Sequence, residues 1–423
     1  MRVMKWSMIA LAVSAGTSQF AMASAQDDSQ GFIEDSTFNV KTRMLYMNRD
    51  FKNENLKTSP SGERQGYREE TGIGMHAIFE SGFTQGTIGV GVDAFGLGSI
   101  KLDSGRGRTG NGLFAADSDG TPEDTQSKAG GAVKFRLSNT VLKYGDQFVA
   151  SPVFSTDDSR LLPEATTGTL LVSKEIPGLE LSAGRFTAMS SQTGMGHDTI
   201  VDGGLPSANI GGATYQFTDN FVAGVAASDV DDHFKKQYLN ANYTLPINDE
   251  QSLNFDFNGY KSKSQGQELS GDIDNRIWSL AAAYSIGAHK FTLAHQRSTG
   301  DTGYVYGVDG GGTIFLANSV QYSDFNGADE RSWQGRYDLN MKTYGVPGLS
   351  FMTRYIKGDN ISTGAEEGKE HELDFETKYV MQNGPAKDLS FRLRSAWYRS
   401  NTAYNGGDNN DLRLIVEYPL SIL

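Results

Sequence analysis

Most of the chain consists of segments in which apolar and polar residues alternate. In the last segment Leu412, Leu414 and Val416 fall on one side of an extended strand, while Arg413 and Glu417 fall on the other. The same period of two recurs throughout the chain after its first segment, and helical periodicity is almost absent. Because successive side chains of a strand point to opposite faces, the pattern predicts an all-β protein.

The length and edges of these segments favour a membrane barrel. They are about ten residues long, recur about every twenty residues, and carry aromatic residues at the ends of the apolar side, as in outer-membrane barrels. A bilayer offers no hydrogen-bond partners, so the strands must close into a transmembrane antiparallel β-barrel. An even number of about sixteen or eighteen strands then fits residues 26–423 as one domain.

The first 25 residues have the three parts of a secretory signal peptide. Arg2 and Lys5 give a positive start, residues 6–15 form a short apolar stretch, and Ala23-Ser24-Ala25 is a small-residue cleavage pattern. No second apolar run follows that could stop transfer. We therefore expect residues 1–25 to be removed and the remainder to reach the outer membrane of a gram-negative bacterium.

Composition narrows the function classes. The 423 residues include 50 Gly and no Cys, with a formal net charge of −13, and the mean hydropathy is −0.43. A thiolate metal site is impossible without cysteine, and the negative charge disfavours nucleic-acid binding. The six His have no metal-binding spacing, and no nucleophile elbow or phosphate-binding loop occurs. We expect neither an enzyme nor a bound cofactor or metal.

The polar side of the strands carries a set of cations. Those with the parity of the predicted lumen are Arg43, Arg49, Lys378, Arg392, Arg394 and Arg413. Closure of the barrel would gather them on one wall, and a row of cations with too few carboxylates would attract carboxylate-bearing solutes. The alternative is that each arginine is paired with a carboxylate across a strand. We favour the row, since rows of charge set pore selectivity.

The segment Tyr144–Gly168 alternates poorly and contains Ser159 and Arg160. Such a loop in a large barrel is a candidate for folding inward, which would make Arg160 a constriction cation. The alternative is an ordinary extracellular loop, because functional and exposed loops have similar compositions.

A second candidate loop covers Leu316–Asn326, where Ser319, Tyr322 and Asp324 provide two hydroxyls and one carboxylate. If Asp324 lies opposite the cations, the two would create a field across the pore that orients zwitterions.

Several motifs together resemble the OprD-type family of outer-membrane carboxylate channels over nearly the whole predicted mature chain. They are GFIEDS at 31–36, ESGFTQGT at 80–87, SKAGGA at 127–132, SRL at 159–161, FLANSV at 315–320, YGVPGL at 344–349, GPAK at 384–387 and YPLS at 418–421. The resemblance implies a monomeric eighteen-stranded barrel with passive uptake.

The resemblance also implies roles for residues. Five cations would form a basic ladder, Arg160 and Arg413 would be basic groups of the narrowest part, or eyelet, and a polar wall would oppose them. The ladder residues are Arg43, Arg49, Lys378, Arg392 and Arg394, and the eyelet residues besides the two arginines are Ser159, Ser319, Tyr322 and Asp324. The family divides into channels for basic amino acids and channels for cyclic or aromatic carboxylates, and the 315–320 motif leans toward the first group.

The predicted function is a substrate-specific porin that admits small carboxylate-bearing nutrients, such as basic amino acids or small peptides, without a cofactor. The alternatives are a channel for cyclic or aromatic carboxylates and an adhesin or structural barrel with a closed lumen. The other expected partners are outer-membrane lipid and lipopolysaccharide.

Overall fold

The structure is a computed structural model that describes residues 24–52, 57–58, 62, 64–196, 204–310, 312, 314–364, 366–404 and 407–423. Residues 1–23, most of the predicted signal peptide, lie outside the described residues, so that cleavage stays a prediction.

Eighteen antiparallel strands form one sheet. They are β1 Thr37–Phe51, β2 Tyr67–Glu80, β3 Ile88–Asp103, β4 Thr125–Leu137, β5 Thr140–Gln147, β6 Ala165–Ser173, β7 Leu179–Ser190, β8 Ala208–Thr218, β9 Phe221–Val230, β10 Phe234–Asn248, β11 Gln251–Ser264, β12 Asp274–Ile286, β13 His289–Thr299, β14 Arg331–Asn340, β15 Leu349–Ile361, β16 Gly368–Val380, β17 Ser390–Ser400 and β18 Asn409–Ser421. A short 3₁₀ helix, Met341–Tyr344, lies between β14 and β15.

The sheet closes because β1 pairs with β18 on one side and β2 on the other. Arg43 therefore lies opposite Glu417 of β18 and opposite Gly74 of β2. This confirms the barrel and the higher of the two expected strand numbers. The strands run from 8 residues in β5 to 16 in β3, so several are longer than the sequence pattern suggested.

The outer face carries the apolar residues of the alternating pattern. Trp333 is 55% exposed and Leu293 59%, while their neighbours Ser332 and Ala294 are almost fully buried. Large apolar side chains remain exposed here because this face contacts hydrocarbon in the membrane. Among the described residues, no helix is long and apolar enough to cross a bilayer.

The two ends of the barrel differ in the length of their connections. Short turns such as Asp219–Asn220 join strands at one end, and the loops 104–124, 148–164 and 300–330 join them at the other. Long loops belong to the extracellular end of such barrels. All three fold back into the lumen, where side chains such as Leu113, Leu161 and Phe325 are almost completely buried.

Burial of loop 104–124 differs from what its composition indicates. The polar, glycine-rich residues 105–126 look like an exposed loop, yet Leu113 and Phe114 pack with Leu161 and Leu162 against Met47 of the wall. In the sequence, the four successive apolar residues at 113–116 of this otherwise polar loop were the sign that it turns inward.

Candidate functional site

Loop 148–164 is held against the inner wall of β2. Leu161 is fully buried, and its carbonyl oxygen lies 2.7 Å from Nε2 of His76. A Cβ at Gly74 would lie 2.6 Å from the same oxygen, so only glycine leaves room for the loop. The inward-folding constriction loop predicted from residues 144–168 is thus confirmed, with its flanks belonging to β5 and β6.

Arg43 fastens this loop to the barrel. Its guanidinium lies 2.7 Å from Oδ1 of Asp158 in the loop and 2.8 Å from Oε1 of Glu417 on β18. It also donates to the carbonyl oxygen of Arg160 at 2.5 Å. Asp158 accepts in addition from Lys41 at 3.1 Å. A cation of the predicted ladder therefore positions the constriction.

Arg160 lies in the loop beside residues of a second inward-folding loop. Its Nε donates to the carbonyl oxygen of Asn111 at 2.8 Å, and one terminal nitrogen donates to Oγ of Ser159 at 2.9 Å. Burial, with the nearby charges of Arg413 and Arg49, lowers the pKa of Arg160 to about 10. Its guanidinium therefore keeps its charge at neutral pH.

Arg413 connects the last strand to loop 300–330. It donates to both carboxylate oxygens of Asp411, at 2.7 and 3.0 Å, and to the carbonyl oxygen of Gln321 at 2.9 Å. The same Asp411 accepts from Arg49 of β1 at 2.8 Å. Arg394 of β17 lies directly opposite Arg413, so two guanidiniums face each other across neighbouring strands.

Glu376 of β16 is shared by two cations of β17, as Asp411 is shared by Arg49 and Arg413. Its Oε2 lies 2.7 Å from Arg392 and 3.2 Å from Arg394. Lys378 lies opposite Arg392 on the lumen side of β16. Within the described residues, the Lys378 ammonium has no carboxylate within the 4.0 Å that defines an ion pair.

These contacts correct the expectation that the arginines lack carboxylate partners. Arg43, Arg49, Arg392, Arg394 and Arg413 all have one, as the alternative interpretation held. The carboxylates are nevertheless shared: Asp158, Asp411 and Glu376 each contact two cations. The basic wall, meaning these cations with Lys41, Lys378 and Arg160, therefore keeps an excess of positive charge.

Asp324 lies on loop 300–330, three residues after Gln321. One of its carboxylate oxygens accepts from the hydroxyl of Tyr306 and the other from the hydroxyl of Ser319. Burial raises the pKa of Asp324, and these two hydrogen bonds oppose the rise. The residue is a carboxylate held in a fixed orientation.

The backbone of the same segment is tied to the barrel. The N–H groups of Tyr322 and Ser323 donate to the two oxygens of Glu372, at 2.9 and 2.8 Å. The Tyr322 ring packs on Tyr398, with 4.8 Å between centroids, and under the guanidinium of Arg49 at 5.2 Å. Tyr322 therefore contacts the basic wall as well as its own loop.

A cavity of about 230 Å³ opens beside Asp324. Its lining includes four tyrosines, two carboxylates and one lysine: Tyr306, Tyr322, Tyr398, Tyr404, Asp324, Glu370 and Lys57. We call this side the acidic tyrosine wall. Negative charge beside aromatic faces suits a cationic group, and the rings could also stack on a planar one.

Sequence reasoning missed several residues of the site. Asp411 lies two residues before its partner Arg413 on β18 and points to the same face. Glu376 lies two residues before Lys378 on β16 and also points into the lumen, so the period of two contained the signal for both carboxylates. Tyr306 lies 18 residues from Asp324 in a loop, where no periodicity marks which residues meet.

A closed barrel in which loops and charged walls narrow a polar lumen defines the class of outer-membrane porins. The family model for the outer membrane porin, OprD family, matches residues 30–422, and the chain belongs to that family. It is 48% identical to Porin D of Pseudomonas aeruginosa, with 100% of both chains covered.

Solved structures of similar proteins have the same fold. The crystal structure of Pseudomonas aeruginosa OprD has a TM-score of 0.80 at 45% identity, covering 96% of this chain and 100% of that one. Pseudomonas aeruginosa OpdK, solved with vanillate, has a TM-score of 0.84 at 34% identity, covering 92% and 100%. The protein is therefore a channel of the gram-negative outer membrane, and the enzyme class is excluded.

Proposed function

We propose that the channel selects small zwitterionic carboxylates and favours those with an additional positive group, such as basic amino acids. The basic wall attracts the carboxylate, and the acidic tyrosine wall receives the cationic group. The observation that carries this proposal is the short segment 321–324. Gln321 accepts from Arg413 at its carbonyl, and three residues later Asp324 presents its carboxylate.

Charges of opposite sign, those of Arg413 and Asp324, are held close to the same point of the pore. A solute with one charge is attracted by one wall and repelled by the other. A zwitterion gains from both if its charges are oriented along the field between them. A second positive charge strengthens the contact with Asp324, Glu370 and the tyrosine rings.

Roles within this proposal follow from position. Arg160, Ser159 and Arg413 would contact the solute carboxylate at the narrowest part, with Ser319, Tyr322 and Asp324 opposite. Arg43, Arg49, Lys378, Arg392 and Arg394 would conduct the carboxylate along the wall, as a ladder.

The cavity also supports a second candidate, a channel for cyclic or aromatic carboxylates. Four tyrosine rings around about 230 Å³ could stack on a planar solute. OpdK, the relative solved with vanillate, is 34% identical to this chain. The closed-lumen adhesin lacks such support, since the chain belongs to a porin family.

Liposome swelling compares the candidates directly. Proteoliposomes would be given arginine, a neutral amino acid of similar size, and benzoate at equal concentrations. Fastest swelling in arginine supports the proposal, and fastest swelling in benzoate supports the second candidate. Equal rates for all three would show a pore without charge selectivity and would overturn both.

A further inference from the structure

The outer surface of β11–β15 carries a group of cations that the pore does not use. We call them the outer basic patch: Lys261, Arg276, Arg297, Arg331 and Lys357. All five side chains are exposed. Their neighbours in sequence, such as Ser262, Asn275 and Gln296, are almost fully buried on the lumen side. The patch therefore points away from the channel.

The patch has a defined height on the barrel. Its residues lie close to the strand ends that lead into the long loops, Lys261 just before the end of β11 and Arg331 at the start of β14. Aromatic rings lie on the same outward face, two residues nearer the membrane centre along each strand. His295 stacks on Trp333 with 4.2 Å between centroids and contacts Trp278 at 5.4 Å. Aromatic girdles mark the interface, so the patch lies at the level of outer-leaflet headgroups.

Four cations of the patch form two pairs that lie directly opposite each other on neighbouring strands. Lys261 faces Arg276 directly across β11 and β12, and Arg297 faces Arg331 across β13 and β14. Like charges directly opposite on neighbouring strands destabilise a sheet. Such pairs become favourable when an anion lies between them, because it contacts both.

The carboxylates on this surface leave most of the patch unneutralised. Arg331 is paired with Asp359 at 2.5 Å. Among the described residues, Lys261, Arg276, Arg297 and Lys357 have no carboxylate within 4.0 Å. This excess is notable in a chain whose net charge is −13.

One sector of the barrel shows that such cations do not extend around the whole circumference. The outward positions of β1–β5 carry no lysine or arginine; their extracellular ends present residues such as Tyr67, Glu69 and Ile100 instead. A general requirement for interfacial cations would have placed them around the whole circumference.

We propose that the outer basic patch binds the phosphate groups of lipopolysaccharide in the outer leaflet. The phosphorylated sugar headgroup of that lipid lies at the height of the patch, and guanidiniums match phosphate oxygens bidentately. The sugar rests against Trp333 and His295, and the acyl chains cover the apolar band below. This site is independent of the proposed solute selectivity, because its side chains do not reach the lumen.

The test measures lipid binding by the purified protein in detergent. Bisphosphorylated lipid A, monophosphoryl lipid A and phosphatidylglycerol would be added separately to the wild type, the double variant Arg276→Gln/Arg297→Gln, and the control Arg185→Gln. Arg185 is an exposed residue on the outward side of β7. Lipid retained per barrel would be counted by native mass spectrometry, with EDTA present so that magnesium bridges to carboxylates do not contribute.

We expect the wild type and Arg185→Gln to retain bisphosphorylated lipid A, and the double variant to retain at least about threefold less. Monophosphoryl lipid A should be retained less than the bisphosphorylated form. Equal retention by the double variant and the wild type, or equal retention of phosphatidylglycerol and lipid A, would overturn the proposal. Unchanged conductance and heat-modifiable migration of the double variant would show that the barrel is intact, and an unfolded double variant would be replaced by the two single ones.

Discussion

The two walls of the pore differ in what holds their charges. The arginines of the basic wall stand mainly on barrel strands β1, β17 and β18, whose pairing fixes their spacing. Asp324 of the acidic tyrosine wall stands on loop 300–330 and takes its orientation from hydroxyls of the same loop, those of Tyr306 and Ser319. In the proposed mechanism, the attraction for carboxylates is therefore part of the barrel, whereas the preference for a cationic group depends on how one loop folds.

Removing a charge from the basic wall should have the largest effect. In the proposed mechanism Arg413→Gln loses the charged hydrogen bond to the solute carboxylate. Such a bond is worth about 1.5–3 kcal/mol, so uptake of amino acids and of benzoate should fall by about tenfold or more. Liposome swelling measures this, with Arg185→Gln on the outer face as the matched control. Unchanged uptake in a folded variant would refute the role of the basic wall.

Neutralising the acidic tyrosine wall should change preference more than rate. A charge pair about 4 Å apart in water is worth about 1 kcal/mol, so Asp324→Asn should lower the ratio of arginine to neutral amino acid uptake about fivefold. Asp119→Asn, on an exposed stretch of loop 104–124, supplies the control. Equal ratios in both variants would remove Asp324 from the selectivity mechanism.

Acidification should imitate that substitution. Because burial raises the pKa of Asp324, its carboxylate takes up a proton at a higher pH than an ordinary aspartate does, and its negative charge is lost as the pH falls. The arginines stay protonated throughout. The preference for arginine should therefore decline as the pH is lowered from neutral in the wild type. Uptake ratios of Asp324→Asn should change less over the same range, and equal pH dependence in both proteins would contradict this explanation.

Crowding the constriction loop should have the smallest effect on transport. A Cβ at Gly74 would press on the carbonyl of Leu161, and overpacking of this kind costs about 1–3 kcal/mol. We expect Gly74→Ala to lower the melting temperature and to alter single-channel conductance by less than about twofold. Gly96→Ala meets no atom within 4 Å and should match the wild type. A Gly74 variant with wild-type stability and conductance would show that the loop is not held there.

The same difference between strand and loop explains what the sequence could predict. Period two identified the barrel and the lumen parity of residues such as Arg394, because a strand converts position directly into direction. The closing of β1 on β18 followed from the barrel. Which carboxylate each arginine would contact did not follow, although Asp411 has the parity of Arg413. Contacts such as Tyr306 with Asp324 depend on three-dimensional packing within a loop, and a single sequence carries no periodic sign of them.

The shared carboxylates have a consequence for the speed of transport. In the proposed mechanism, a solute carboxylate that reaches Arg49 or Arg413 meets a site where Asp411 is already bound, so it exchanges with Asp411 instead of filling an empty site. Exchange of this kind keeps the solute weakly bound at each site, as on an ion-exchange resin, where one anion is released when another binds. Flux through such a pore would saturate only at high solute concentration.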